Sequence, residues 1–191
     1  VLNFKKPSLD KTNAITGIAS AWLDSIPLLV ITGQVQKKDR AVGQFPIRQL
    51  GFQEIDTVSL VKNITKYAVT VTEPNEIAYH LEKALHLATT GRPGPVVIDI
   101  PLDVQAANIE IDECKKYIPE NNPDIDIESI TSNVIEGLNN AKRPIILAGN
   151  GIRLSKCIPE FKTFIENTNI PVLTTWKALD IVSEDHPLYV G

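Results

Sequence analysis

The chain has 191 residues, 43% of them hydrophobic and 22% charged, with a formal net charge of -4. That balance is ordinary for a globular protein, and its acidic sign argues against nucleic acid or an anionic membrane as partner. The two cysteines, Cys114 and Cys157, have neither CxxC nor Cys/His ligand spacing, so a disulfide or zinc site is not expected and a reducing, cytoplasmic setting is.

Along the chain, the start Val1-Leu2-Asn3-Phe4-Lys5-Lys6-Pro7 lacks the apolar core and cleavage site of a signal peptide. No later apolar run approaches the roughly 20 residues that span a bilayer. Residues 12–24 place Ile15, Ile18, Ala19, Trp22 and Leu23 at helical spacing, with Thr12 or Asn13 as the expected cap. Pro27 ends that helix through the residue before it. Leu28-Leu29-Val30-Ile31-Thr32 reads as a central parallel strand, apolar on both faces and closed by Gly33. Residues 36–56 form a long polar loop after it, at the strand end where open α/β sheets keep their ligands.

Residues 67–71 are rich in β-branched side chains and predict a second strand. Thr72-Glu73-Pro74-Asn75 then starts a helix with a capping hydroxyl and a tolerated proline. Ile77, Leu81, Ala84, Leu85 and Ala88 make its apolar stripe, and Gly91 its stop. With the buried strand 96–100 this is a βαβ unit. Residues 106–126 are acidic, carry Pro119, Pro123 and the pair Asn121-Asn122, and read as a linker. Ile127, Ile130, Val134 and Leu138 then line a helix, 144–148 a strand, Ile158, Phe161, Phe164 and Ile165 a helix, and 171–175 a strand. The expected fold class is α/β, with parallel sheets flanked by helices. The second segment has too few strands for a complete doubly wound domain.

Several groups of residues offer chemistry. Gly149-Asn150-Gly151 follows a strand and precedes a helix, where glycine lets the backbone approach a phosphate. It lacks the third glycine of the dinucleotide fingerprint and reads equally as a tight turn. Arg153 could pair with a phosphate or stand exposed. Gly91-Arg92-Pro93-Gly94-Pro95 is a stiff connection carrying one arginine. Phe52-Gln53-Glu54 with Asp56 could hydrogen-bond a polar heterocycle or a small keto-acid; equally, the two acids could begin the next helix. His80, His86 and His186 form no metal or triad set, and neither a Gly-x-Ser-x-Gly elbow nor HExxH occurs.

The ordered set of segments resembles the acetolactate synthase family of thiamine-diphosphate enzymes. It comprises 12–19 (TNAITGIA), 24–27 (DSIP), 31–35 (ITGQV), 52–54 (FQE), 64–66 (ITK), 90–96 (TGRPGPV), 99–101 (DIP) and 103–105 (DVQ). The second half adds 142–144 (KRP), 149–151 (GNG), 171–172 (PV), 174–176 (TTW) and 186–188 (HPL). The resemblance implies decarboxylation of a 2-keto acid such as pyruvate with C–C bond formation. It also implies thiamine diphosphate with Mg2+ as cofactor, FAD as a structural second cofactor in some members, and a homo-oligomer. Residues 1–105 would be the later part of the pyrimidine-binding domain, 106–126 a linker, and 127–191 the start of the central domain. Asn13, Gln34, Phe52 and Gln53 would serve the thiamine site, with Phe52 and Gln53 facing the reacting centre from the neighbouring subunit's loop. Arg92, Gly149, Gly151 and Arg153 would contact FAD.

Three departures accompany the resemblance. Ser8-Leu9-Asp10-Lys11 replaces the family's Gly-Pro-Gly turn, Leu102 stands where acetolactate synthases carry lysine, and residues 41–50 resemble a branch from sugar and cell-surface pathways. The family's cofactor-activating glutamate lies upstream, and no Gly-Asp-Gly magnesium motif is present, so the chain by itself is expected to be inactive. The alternatives are a non-catalytic remnant acting as an assembly module, and an FAD- or nucleotide-binding protein.

Overall fold

Two apolar runs set the centre of the first sheet. Leu28–Gln34 (β2) and Pro95–Pro101 (β4) pair in parallel, from Leu28 opposite Pro95 to Gln34 opposite Pro101. Leu2–Phe4 (β1) adds beside β2 and Tyr67–Thr70 (β3) beside β4, giving the parallel order β1-β2-β4-β3. The computed structural model describes residues 2–4, 10–43, 46–120 and 125–191. Ser8 and Leu9 of the replaced turn, Gln44 and Phe45 of the 41–50 stretch, and Asn121, Asn122 and Pro123 lie outside the described residues.

Both central strands are covered on two faces, which is why they read as continuous apolar runs. Val96 and Ile98 point to one face and join Val71, Ala84, Ala88 and Val104 under the helix Ile77–Thr89 (α4). Val30 and Val97 point to the other, where Ile18 of Ile15–Leu23 (α2) and Val61 of Thr57–Val61 (α3) meet them. β2 does not close at Gly33. Gly33 still pairs with Ile100, and the strand continues to Gln34, whose buried side chain is anchored on β4.

The helix expected over 12–24 is two helices. Asp10–Asn13 (α1) and α2 are separated at Ala14, whose N–H donates to the Lys11 carbonyl at 3.2 Å. Neither Thr12 nor Asn13 caps α2, which begins without a side-chain cap. Its stop is Ser25, held at φ 56 while the Ile26 N–H returns to the Ala21 carbonyl. Before α4, Pro74 opens a 3₁₀ turn, Pro74–Glu76, as its locked φ favours. The expected hydroxyl cap is absent; neither that turn nor α4 has a side-chain cap. Gly91 adopts φ 61 just past α4, the left-handed stop its sequence position predicts.

After β4 comes the short helix Leu102–Gln105 (α5). The first part of the expected linker is docked on its own unit. The Lys115 N–H donates to the Asn75 carbonyl, the Tyr117 N–H to Glu82, and Lys115 Nζ lies 3.0 Å from Glu76. Cys114 is buried there, and the Tyr117 ring packs on Tyr79 and His86. His80 takes a hydrogen-bonding place in the same layer, 2.7 Å from the Tyr67 hydroxyl.

The chain divides into two compact units, Val1–Asn121 and Asn122–Gly191. The second unit contains Ile127–Asn140 (α6), Ile146–Ala148 (β5), Gly151–Leu154 (α7), Ile158–Thr168 (α8) and Val172–Thr174 (β6). β5 and β6 are parallel, and Val172 bridges in parallel to Tyr189. Ala148, Ile165, Val172, Ala178, Ile181 and Val182 form its core. Among the described residues no helix is long and apolar enough to cross a membrane.

Candidate functional site

The carboxyl edge of the first sheet holds a buried polar cluster. Asp99 shares the face of Val97, because residues two apart on a strand point the same way. Thr32 sits opposite it in register, and Gln34 lies two residues on. The Thr32 hydroxyl donates to Asp99 Oδ1 at 2.5 Å and Gln34 Nε2 to Asp99 Oδ2 at 2.9 Å. Lys11 of α1 reaches in from the helix layer; its Nζ donates to the Gly33 carbonyl at 3.3 Å and stands 3.7 Å from Asp99. Both charged side chains are 1% exposed. Burial pushes the Asp99 carboxyl up and the Lys11 amine down, each against the opposing attraction of the other.

The loop 35–56 rises from this edge. Gln34 Nε2 gives its second hydrogen to the Ile55 carbonyl at 2.9 Å, tying the far end of the loop to the strand that begins it. The Glu54 carboxylate accepts four backbone N–H groups: Ala41 (2.7 Å) and Val42 (3.3 Å) on Oε1, Leu50 (2.9 Å) and Gly51 (3.4 Å) on Oε2. Burial raises the affinity of Glu54 for a proton, but the bonds from Leu50, Val42, Ala41 and Gly51 outweigh it and hold the carboxyl below its ordinary value. The two acids of the loop therefore divide the readings open to them. Glu54 closes the loop, and Asp56 caps α3 by accepting from the Ser59 N–H at 3.1 Å.

The expected site residues fall into three places. Asn13 is exposed at the end of α1, Gln34 is buried at the end of β2, and Phe52 and Gln53 stand on the loop, so all four lie toward the carboxyl edge. Gln34 has no donor left to offer, since its two amide hydrogens serve Ile55 and Asp99. Phe52 is 81% exposed, and Gln53 is half-buried with φ 59. Arg92 lies at the opposite end of the sheet, roughly 20 Å away along a seven-residue strand. There Arg92 Nε donates to the Ser25 hydroxyl at 2.7 Å. With Trp22, Leu23, Lys66 and Pro93 it lines a cavity of about 340 Å³. In the second unit Gly149 and Gly151 flank the start of α7, a helix of four residues. A Cβ on Gly151 would meet nothing within 4 Å, so packing does not demand glycine there. Arg153 is ion-paired with Asp180.

Sequence reasoning missed Lys11 and Thr32 as partners of Asp99. The signal was present: an acid inside the buried run 95–101 needs a donor set, because an unpaired buried carboxylate is costly. Lys11 could not have been found that way, since its contact with Asp99 depends on how α1 folds over the strand ends.

The profile of the "Thiamine pyrophosphate enzyme, N-terminal TPP binding domain" matches residues 9–60, and that of the "Thiamine pyrophosphate enzyme, central domain" matches residues 131–191. The chain is 39% identical over 182 residues to the acetolactate synthase large subunit of Lactococcus lactis subsp. lactis (strain IL1403), covering 94% of this chain and 30% of the relative. The chain belongs to the thiamine pyrophosphate enzyme family. The acetolactate synthase large subunit of Corynebacterium glutamicum is also 39% identical, over 186 residues, 94% of this chain and 28% of the relative. A glyoxylate carboligase of Escherichia coli O157:H7 is 36% identical over 181 residues, 94% of this chain and 29% of the relative. The chain thus spans under a third of the length of these family members.

Family membership gives the loop its context. The profile of the cofactor-binding domain covers Lys11, β2, the whole loop and Glu54. Glu54 inside that stretch and Asp99 outside it, on β4, are both buried at this edge and both engaged by protein donors. Of the four residues expected to serve the thiamine site, Phe52 and Asn13 are exposed and Gln53 is half-buried, while Gln34 is buried. Among the described residues no group of three His, Cys, Asp or Glu side chains could hold a metal ion.

Proposed function

We propose that this chain is the pyrimidine-side and early central part of a thiamine-diphosphate-dependent carboligase that acts on 2-keto acids such as pyruvate, and that it has no turnover by itself. The observation that carries this is the Phe52-Gln53 tip, held outward at the carboxyl edge inside the stretch matched by the cofactor-binding profile. Thiamine diphosphate supplies the centre that stabilises a carbanion; the protein's part is placement and electrostatics. Phe52 packs against the reacting centre and excludes water, while Gln53 and Asn13 offer amide hydrogen bonds. Gln34 acts one step back, bracing the loop. Residues 1–105 form the pyrimidine-binding part, 106–126 the connection and 127–191 the central part. Magnesium is held by residues beyond those described, and the working enzyme is a homo-oligomer. The Arg92 corner supports FAD as a second cofactor: two cations, Arg92 and Lys66, flank the Trp22 indole around one cavity. Gly149, Gly151 and Arg153 would meet its phosphates in the central part.

Saturation-transfer NMR of the purified chain with thiamine diphosphate and magnesium tests the reading, because it detects weak contact without turnover. Transfer to the aminopyrimidine protons is expected, falling by about fivefold in Phe52→Ala, the loss of about 1 kcal/mol of aromatic stacking. Transfer that is absent, or unchanged in Phe52→Ala, sinks the assignment. Acetolactate formed from pyruvate by the chain alone would refute its inactivity.

A further inference from the structure

Phe52 and Gln53 are displayed by a loop whose larger apolar side chains are, among the described residues, mostly turned to solvent. Val42, Ile47 and Leu50 are at least a third exposed and Phe52 is 81% exposed, while Val35 and Ala41 are buried at its start, so burial of the outer part does not explain its shape. One side chain gathers its two ends. The N–H groups of residues 41–42 and 50–51 converge on the Glu54 carboxylate, two to each oxygen. Glu54 is itself 7% exposed. Its own N–H donates back to the Gly51 carbonyl at 3.2 Å, closing a turn that has Phe52 at the outer corner and Gln53 third. Gln53 holds φ 59, a left-handed conformation that disfavours any residue with a Cβ and persists only where the surroundings enforce it. Gly51 is pinned as well: a Cβ there would lie 2.7 Å from the Asp39 carbonyl oxygen and 3.0 Å from Val35.

We propose that Glu54 is the positioning residue of the candidate site: its carboxylate is the internal anion on which residues 41–42 and 50–51 converge, and that convergence turns Phe52 and Gln53 outward. The inference rests on the functional reading for what the tip is for, but not for how it is held. A carboxylate suits the task because it is acceptor-only and can take several N–H groups at once. The side chain of Glu54→Gln has the same shape but turns an NH2 group toward N–H donors. The charged group coupled to Glu54 is Lys11 of α1, which is itself coupled to Asp99 of β4 and to Arg40 of the loop. The Lys11 cation favours the ionised form that the four bonds require.

Amide hydrogen exchange of the full chain, read without ligand, tests this. In Glu54→Gln the amides of Ala41, Val42, Leu50 and Gly51 are expected to exchange at least about tenfold faster, as for a region opened locally. Those of β4 should keep their wild-type protection. In the wild type, after correction for intrinsic rates, loop exchange should accelerate as pH falls through the depressed pKa of Glu54, and Glu54→Gln should lack that step. The proposal is overturned if the loop stays protected in Glu54→Gln, if β4 loses protection as much as the loop, or if the wild type shows no acid step. The last arm needs no variant, so it holds even if Glu54→Gln fails to fold. A Phe52→Ala chain that keeps its loop protection and its full thiamine contact would instead overturn the functional reading alone.

Discussion

Lys11 and Asp99 form a charge pair in which burial works against both members. Asp99 is raised by burial above its unfolded value; such a group contributes stability below the unfolded carboxylate pKa and loses it as pH rises through the folded one. Lys11 is lowered; its contribution is present above the unfolded lysine pKa and is lost as pH falls through the folded one. The pair persists because each charge offsets the burial cost of the other, and the Thr32 hydroxyl, the Gln34 amide and the Gly33 carbonyl add hydrogen bonds to it. Lys11→Met removes the cation and leaves the carboxylate, and should destabilise the first unit by about 3–5 kcal/mol in urea unfolding. With Lys11 gone the upward shift of Asp99 grows, so the deficit should widen from acid to neutral pH. A deficit that narrows as pH rises would contradict the pairing. At this scale the chemistry-bearing tip, Phe52-Gln53-Glu54, was readable as a unit of sequence, yet the division of labour within it was not. Whether a glutamate meets a ligand or its own loop depends on four N–H groups up to thirteen residues away, and no local pattern encodes their convergence.

At the scale of elements, legibility followed burial. β2, β3, β4 and α4 were evident because strands covered on both faces and a half-buried helix leave their periods in the residue types. The break of the first helix at Ala14 was hidden, since alanine is the best helix former and carries no stop signal. The docking of residues 114–117 on α4 and the turn before it was hidden too, because it relies on Tyr117, Lys115 and backbone hydrogen bonds rather than an apolar stripe. Caps divide the same way. α3 and α6 have aspartate caps, Asp56 accepting from Ser59 and Asp126 from Ser129, while α2 and α4 have none and are held by their packed faces. α6 has no buried residue, so its cap is a larger share of what stabilises it. Asp126→Ala should remove about 1 kcal/mol and fray the first turns of α6, read as faster amide exchange over 127–133. Equal protection with and without the Asp126 carboxylate would mean that packing, not the cap, holds this helix.

At the scale of the whole molecule the two units differ in how well they cover themselves. The first has a sheet with a core on each face. The second has one core cluster, and α6 turns Ile127 (69% exposed), Ile130 (54%) and Val134 (54%) outward along a single face, while Leu147 on β5 is 68% exposed. An apolar face of this kind on a monomer drives association, since contact between copies removes it from water. The purified chain should therefore self-associate with concentration and bind a hydrophobic dye. Ile130→Glu combined with Val134→Lys places an acid four residues before a base on that face, a helix-stabilising order, and replaces two β-branched residues by better helix formers. The double variant should then show less association and less dye binding by sedimentation and fluorescence, with α6 as helical as before by circular dichroism. Because both positions belong to the second compact unit and the loop that displays Phe52 to the first, loop exchange should be unchanged. If association persisted undiminished in the double variant, the exposed face of α6 would not be its source.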